Sequence, residues 1–402
     1  MAESGKPRVG IVGAGTMGGG IALVAAAAGH SVVLHDADAG ALAAARGRIE
    51  QALARRAARG RLTVEEAERI GSRIGTAAGL ADLEGAGVVI EAVAERLEVK
   101  REVLRAVERV AERDALLATN TSSLSIAGIG AGLSDPGRFL GMHFFNPAPA
   151  MELVEVVPAL TTRPETVRRA VTLARAWGKT PVVAKDTPGF IVNRIARPFY
   201  GEALRILDEG IADAATVDWA MKEFGGFRMG PFELMDLIGN DVNFTVTETM
   251  FHAFYGEPRY RPSITQKRMV EAGRLGRKSG IGFYDYREGA VRPRPSGDEE
   301  LGRRIFRRIL VMLVNEAADA VFWGVTTPEE ADLAMTKGVN YPKGLLRWGD
   351  EIGPAAVLDE LDRLRADYGE ERYRASPLLR RAVREGTTLT EAGMRGKRGG
   401  SC

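Results

Sequence analysis

Near its start the chain runs from a short apolar segment, Arg8 to Val12, straight into Gly13-Ala-Gly-Thr-Met-Gly18 and on into an alanine-rich stretch ending at Gly29. That order reads as strand, glycine turn, helix, and it restricts the opening of the fold to a βαβ unit. Gly13 permits a tight turn, Gly15 lets a pyrophosphate approach the main chain, and Gly18 allows helix and sheet to pack closely, with phosphate charge facing the helix N-terminus. Ser31 to Leu34 makes a second strand leading to Asp36, eighteen residues beyond Gly18. A carboxylate there accepts hydrogen bonds from an adenosine ribose and repels a 2′-phosphate, and no arginine follows it immediately, so the pattern favours NAD over NADP.

The alternation continues. A helix is expected over Asp38 to Arg59, and Thr63-Val-Glu-Glu66 supplies a capping box for the next. Strands are expected at Val88 to Val93, Ala115 to Thr119, Phe139 to Phe144, Leu153 to Val157 and Pro181 to Val183, with helices over Leu97 to Arg113 and Pro164 to Trp177. This is a Rossmann-type, doubly wound parallel sheet. Lys185-Asp-Thr-Pro-Gly189 ends it, and from Phe190 the apolar spacing is helical.

The helical part repeats itself. Glu202-Ala203, Asp213, Asp218, Ala220-Met221 and Asp236 recur 114 residues later as Glu316-Ala317, Thr327, Asp332, Ala334-Met335 and Asp350. Tyr260-Arg-Pro-Ser263 returns as Tyr373-Arg-Ala-Ser376, with the offset reduced by one. Asp213 and Thr327 suit helix N-caps. The expected fold is therefore α/β plus all-α. It comprises a nucleotide-binding domain over 1–186, a helical domain over 187–286 closed by Gly276 to Tyr286, a proline- and glycine-rich linker over 287–297, and a second, degenerate helical copy over 298–402 with a frayed end at GMRGKRGGSC.

The 55 basic and 53 acidic residues leave a charge of +2, so no bulk field points to nucleic acid or an anionic membrane. The longest apolar stretch, Ile21 to Gly29, has roughly half the length a spanning helix needs, and the first residues lack a signal-peptide core. The single cysteine, Cys402, excludes disulfide frameworks and thiolate metal clusters and reads as an idle thiol. The expectation is a cytoplasmic protein holding no metal.

Redox chemistry at a carbon beside a bound dinucleotide calls for a proton acceptor, and histidine's unperturbed pKa lies closest to neutrality. Of four histidines, His30 and His35 flank the second strand and read as structural, and His252 reads as packed among helical aromatics. His143 differs, because it ends a strand just before Asn146-Pro147, and the carboxyl end of an open sheet is where ligands bind. Glu155, twelve residues on, is either the carboxylate that orients this imidazole or an exposed strand residue. Ser122, after a strand, and Asn193, past the break, read equally as helix caps.

Together GAGTMG, EAVAERLEVK from Glu91, NTSSLSI from Asn120, HFFNP from His143, DTPGFIVNR from Asp186 and MGPFELMDLIG from Met229 resemble the 3-hydroxyacyl-CoA dehydrogenases of fatty-acid and related acyl-CoA metabolism. The resemblance covers nearly the whole chain. It implies a catalytic His143–Glu155 pair, with Ser122 and Asn193 hydrogen-bonding the substrate in a cleft between the dinucleotide domain and the first helical copy, and Glu95, Lys100, Ser122 and Asn146 around the nicotinamide end of NAD. The family's coenzyme A serine and lysine fall at Ala52 and Arg59, so the resemblance points to Arg59, with Arg55 beside it, for CoA phosphates. Single-copy relatives dimerise through the helical domain, which implies a monomer with an internal pseudo-dimer, or a homodimer. Since Asn193 aligns with Arg307, one active site per chain is expected. Competing readings are a dehydrogenase of a free hydroxy or sugar acid and a catalytically silent NAD-binding scaffold.

Overall fold

The structure, a computed structural model, describes residues 5–398. It divides into two compact units, 1–187 and 188–402.

The first unit carries one eight-stranded sheet in the order β3-β2-β1-β4-β5-β6-β7-β8. Its elements are β1 (Arg8–Val12), α1 (Thr16–Ala27), β2 (Val32–His35), α2 (Ala39–Ala58), α3 (Val64–Ser72), β3 (Ile74–Ala77), β4 (Ala86–Glu91), α4 (Leu97–Val110), β5 (Leu116–Thr119), α5 (Ile126–Gly130), β6 (Phe139–Phe144), β7 (Leu153–Pro158), α6 (Pro164–Ala176) and β8 (Thr180–Val183). Strands β1 to β6 are mutually parallel. The parallel expectation fails at one pair: β7 runs antiparallel to β6, and β8 follows β7. The reason is the short Phe145-to-Glu152 connection, which returns the chain as a hairpin where a parallel crossover needs a dozen or more residues. Strand β3 escapes the sequence reading, because at the sheet edge its Gly75 and Thr76 are exposed and form no apolar run. Ile11, Ile21, Leu34, Ile90, Met142 and Phe144 form the buried centre between sheet and helices. The capping box at Thr63 and Glu66 is present, with both reciprocal hydrogen bonds.

The second unit is helical. Its first copy comprises α7 (Val192–Ile195), α8 (Arg197–Asp208), α9 (Ala214–Gly225), α10 (Pro231–Ile238), α11 (Asn240–Ala253) and α12 (Ile264–Glu271). Its second comprises α13 (Glu299–Phe322), α14 (Pro328–Gly338), α15 (Leu345–Ile352), α16 (Pro354–Tyr368), α17 (Pro377–Glu385) and α18 (Leu389–Arg398). Asp213 caps α9 through the Thr216 amide, and Thr327 caps α14 through the Glu330 amide. Asp218 accepts the amides of Phe232 and Glu233, and Asp332 accepts those of Leu346 and Arg347, each 114 residues on. The repeat is thus a repeat of capping and turn chemistry, which the backbone enforces in both copies.

Two expectations, on the tail and on His252, are corrected. The GMRGKR stretch is not frayed: α18 continues to Arg398, with Leu389 and Ala392 buried and Gly393 set against Val321 and Pro328. The remainder of that tail, including Cys402, lies outside the described residues. The linker is exposed yet laid on the first copy, since Arg292 covers the rings of Tyr284 and Tyr286 and the Ser296 amide donates to Thr216 Oγ1. His252 is exposed rather than packed, because it falls in the last turn of α11 on its outer side. No helix among the described residues is long and apolar enough to cross a membrane.

Candidate active site

Because β1, β4, β5 and β6 are parallel, the residues just past their carboxyl ends meet along one edge of the sheet. The glycine loop comes first. Gly13 has φ +106°, and a Cβ there would press on the Ala92 carbonyl. A Cβ on Gly18 would overlap the Gly13 carbonyl oxygen, whereas one on Gly15 would meet no protein atom within 4 Å. Turn, packing and open approach therefore fall to the three glycines as read from the motif. Gly15 caps α1 with no side chain and no acidic residue follows in the first turn, so that helix end presents unopposed amides to an anion.

Asp36 follows β2. One of its oxygens accepts the Ala14 amide at 2.7 Å and the other the Asp38 amide at 3.0 Å, so the carboxylate also pins the glycine loop. Arg48 holds the same loop through the Ala14 carbonyl, a contact the sequence did not reveal. Asp36→Ala is expected to weaken NAD binding by about tenfold to a hundredfold while kcat at saturating cofactor changes little. Calorimetric titration with NAD checks this, and unchanged affinity would remove the ribose assignment.

Past β4 lies a polar network sealed under the loops. Glu91 is fully buried, taking the Lys100 ammonium at 2.8 Å, the Thr119 hydroxyl at 2.6 Å and the Val93 amide at 2.6 Å. Lys100, 1% exposed, reaches on to Glu95 at 3.2 Å. Glu95 in turn accepts the Thr121 hydroxyl at 2.5 Å, the Ser122 amide at 3.0 Å and the Ser123 amide and hydroxyl. Burial opposes the charge on Glu95, but the Lys100 ammonium and these donors outweigh it and hold the carboxyl below its ordinary range. Lys100 is thus placed as a support for Glu95 and the Ser122 loop. Glu91 was missed by sequence reasoning, and its only signal there is a lone acid ending an apolar strand.

The histidine comes last. His143 and Glu155 are direct cross-strand partners in the antiparallel β6·β7 register, so both side chains leave the same face. The imidazole Nδ1 lies 2.6 Å from a Glu155 carboxylate oxygen, with His143 6% exposed and Glu155 fully buried. The Asn120 side chain accepts the Phe144 amide at 2.8 Å and fixes the end of β6 against the Ser122 loop. Asp186 accepts from the Ile126 and Ala127 amides and the Ser125 hydroxyl, tying the chain's exit from the sheet to the start of α5. Asn146 is exposed in the turn after β6. Arg55, bonded to Gln51, and Arg59 are exposed at the C-terminal end of α2. Asn193 stands in α7 of the helical unit, where its carbonyl accepts from Arg197. His30 and His35 each spend Nδ1 on a backbone carbonyl, of Pro7 and Ala77 respectively, as structural residues do.

Comparison with known proteins decides what this geometry belongs to. Residues 8–187 match the NAD binding domain of 3-hydroxyacyl-CoA dehydrogenase, and residues 189–286 and 305–396 match its C-terminal domain. The chain belongs to the 3-hydroxyacyl-CoA dehydrogenase family. Its activity is the NAD-dependent oxidation of a 3-hydroxyacyl-CoA at the CH–OH carbon. It is 39% identical to the 3-hydroxyadipyl-CoA dehydrogenase of Escherichia coli over 92% of this chain and 96% of that one. A probable 3-hydroxybutyryl-CoA dehydrogenase of Bacillus subtilis is 41% identical over 69% of this chain and 96% of its own length. A crystal structure of a 3-hydroxybutyryl-CoA dehydrogenase from Escherichia coli superposes with a TM-score of 0.89 at 38% identity, covering 95% of this chain and 99% of the other.

Proposed function

We propose that His143 exchanges the proton of the substrate 3-hydroxyl and that Glu155 steadies the imidazolium this creates. The observation that carries the reading is the His143–Glu155 pair itself, 2.6 Å apart in a fixed cross-strand register at the carboxyl edge of the sheet. With Nδ1 given to the carboxylate, the proton passes at Nε2. NAD, when bound, supplies the acceptor for the C3 hydride. Gly13, Gly15 and Gly18 shape the loop that receives its pyrophosphate, and Asp36 takes its ribose. Glu95, held by Lys100, fixes the Ser122 loop beside the nicotinamide end, and Asn146 flanks the same place. Ser122 and Asn193 hydrogen-bond the reacting oxygen, a fixed-dipole contribution that grows where water is excluded. Arg59 and Arg55 offer guanidinium groups to CoA phosphates.

The substrate is a short 3-hydroxyacyl-CoA, and the relative named for 3-hydroxyadipyl-CoA, which spans both helical copies, supports a dicarboxylic one. The setting is cytoplasmic acyl-CoA degradation. NADH depletion across 3-ketoacyl-CoA thioesters of graded length, with one dicarboxylic member and the matching free acids, tests the reading; turnover of the free acids alone would sink it.

The second helical copy takes the place of a partner subunit's helical domain. Arg194 of the first copy pairs with Glu316 of the second at 2.8 Å, and Arg308 of the second pairs with Glu202 of the first at 3.0 Å. Arg259 and the Tyr260 hydroxyl reach Glu316 just as Arg372 and the Tyr373 hydroxyl reach Glu202. Residue i meeting j′ while i′ meets j is the signature of an isologous two-fold interface. The protein is on this reading a monomer with the dimer contact built in.

A further inference from the structure

The contacts that join the two helical copies are matched at their centre, Arg194–Glu316 against Arg308–Glu202, while Asp319 and Glu209 each serve one side alone; a further polar group also breaks the repeat. Arg197, on α8, is 6% exposed, yet among the described residues no carboxylate pairs with it. Its Nε donates to the Asn193 carbonyl at 2.9 Å, its Nη1 donates to Thr247 Oγ1 at 3.1 Å, and the guanidinium lies 4.9 Å from the ring centre of Tyr200. Burial pulls its pKa below the ordinary arginine value, and among the described residues Tyr200 and Tyr341 oppose that shift. The Tyr341 hydroxyl, contributed by the second copy, is buried without a hydrogen-bond partner. Burying a cation without a counter-ion beside a hydroxyl without a partner is costly, so neither is expected where the fold alone sets the residue.

The repeat shows that the fold does not set it. At the 114-residue offset Arg197, Tyr200 and Thr247 correspond to Val311, Val314 and Leu361, and Tyr341 corresponds to Phe227. All four counterparts are apolar and buried. The ion-pair network of Arg194, Glu202, Arg259 and Tyr260 is preserved in both halves, whereas this polar cluster occurs only in the half that carries Asn193. Its mirror position, beside Arg307 in place of Asn193, has no use for charge.

We propose that Arg197, positioned by Thr247 and joined by the hydroxyls of Tyr200 and Tyr341, is the subsite for the distal carboxylate of a dicarboxylic 3-hydroxyacyl-CoA. The proposal rests on the reading above that Asn193 meets the substrate oxygen. Arg197 follows Asn193 by four residues, about 6 Å along a helix, and the far carboxylate of a six-carbon diacid lies three bonds beyond C3. A planar guanidinium binds a carboxylate with two parallel N–H donors; the tyrosine hydroxyls add donors, while Thr247, which gives its own proton to the Asn243 carbonyl, holds the guanidinium in place. The missing counter-ion is then supplied by the substrate, and an uncharged chain end leaves the guanidinium unpaired, which is how the site selects.

The test measures kcat/KM for a six-carbon dicarboxylic 3-ketoacyl-CoA and for its monocarboxylic analogue of equal length, by NADH consumption. The unaltered enzyme is expected to prefer the diacid. Arg197→Met, which keeps the volume, is expected to lower that preference by about 10²-fold, with Arg197→Lys retaining part of it. Tyr341→Phe removes only an unpaired hydroxyl and copies the residue at 227, so it leaves packing intact and is expected to lower the preference by about tenfold; it decides the matter if Arg197→Met does not fold. Equal losses on both substrates would make Arg197 a support for Asn193 or a CoA contact and overturn the subsite. Turnover of the monoacid with no preference for the diacid overturns the subsite alone, and turnover of neither thioester overturns the functional reading with it.

Discussion

Replacing His143 with glutamine is expected to lower kcat about 10³-fold, equivalent to about 4 kcal/mol of transition-state stabilisation, while NAD affinity stays within a few-fold of its starting value. The glutamine amide can neither take nor return a proton, so hydride departure from C3 would leave a hydroxyl still holding its hydrogen. Cofactor binding is spared because the glycine loop, Asp36 and the Glu95 network stand on other strands. Glu155→Gln separates charge from position. A glutamine carbonyl still accepts from Nδ1, but it offers no counter-charge to the imidazolium, and a loss of about 10²-fold in kcat is expected. Single-turnover rates with saturating cofactor, alongside calorimetric NAD affinities, check both. A His143→Gln enzyme turning over at a tenth of the original rate or better would remove the imidazole from the proton path.

These expectations divide along the line between what one side chain states by itself and what needs a second segment. The glycine loop was legible because a backbone with φ +106° at Gly13 and no room at Gly18 dictates residue type directly. His143 was legible as a strand-end imidazole, but its partner was not fixed by a spacing of twelve; the antiparallel turn of β7 makes Glu155 its cross-strand neighbour. The caps at Asp213 and Thr327 announced the helical repeat, since caps are local. By contrast Glu91, Lys100 and Glu95 form one network only after β4, α4 and the loop past β5 are brought together. Arg197 and Tyr200 look in the sequence like ordinary members of an amphipathic helix, and the missing carboxylate becomes visible only once every neighbour is known. The reciprocity of Arg194–Glu316 and Arg308–Glu202 was hidden for the same reason, although all four residues stand at the repeat offset.

That reciprocity gives the second large effect. A chain ending at residue 297 is expected to form a stable dimer at micromolar concentration, measured by sedimentation equilibrium, where the full chain is expected to remain a monomer. Removing α13 to α18 strips Arg194 of Glu316 and Asp319, and Glu202 of Arg308 and Arg372. Unpaired buried charges of this kind cost several kcal/mol each, and the apolar face that lay against α13 is exposed with them. A second truncated chain repairs both faults at once, because Glu202 is the repeat counterpart of Glu316 and Arg194 that of Arg308. The existing half in which Arg308 meets Glu202 and Glu209 shows the pairing each Arg194 would regain across such a dimer. Glu202→Arg in the truncated chain then places like charges opposite one another and is expected to abolish the dimer, while the exchange of both residues, Arg194→Glu with Glu202→Arg, restores it. A truncated chain that stayed monomeric with an unchanged melting temperature would show that residues 298–402 replace no partner, since nothing they covered would have needed covering.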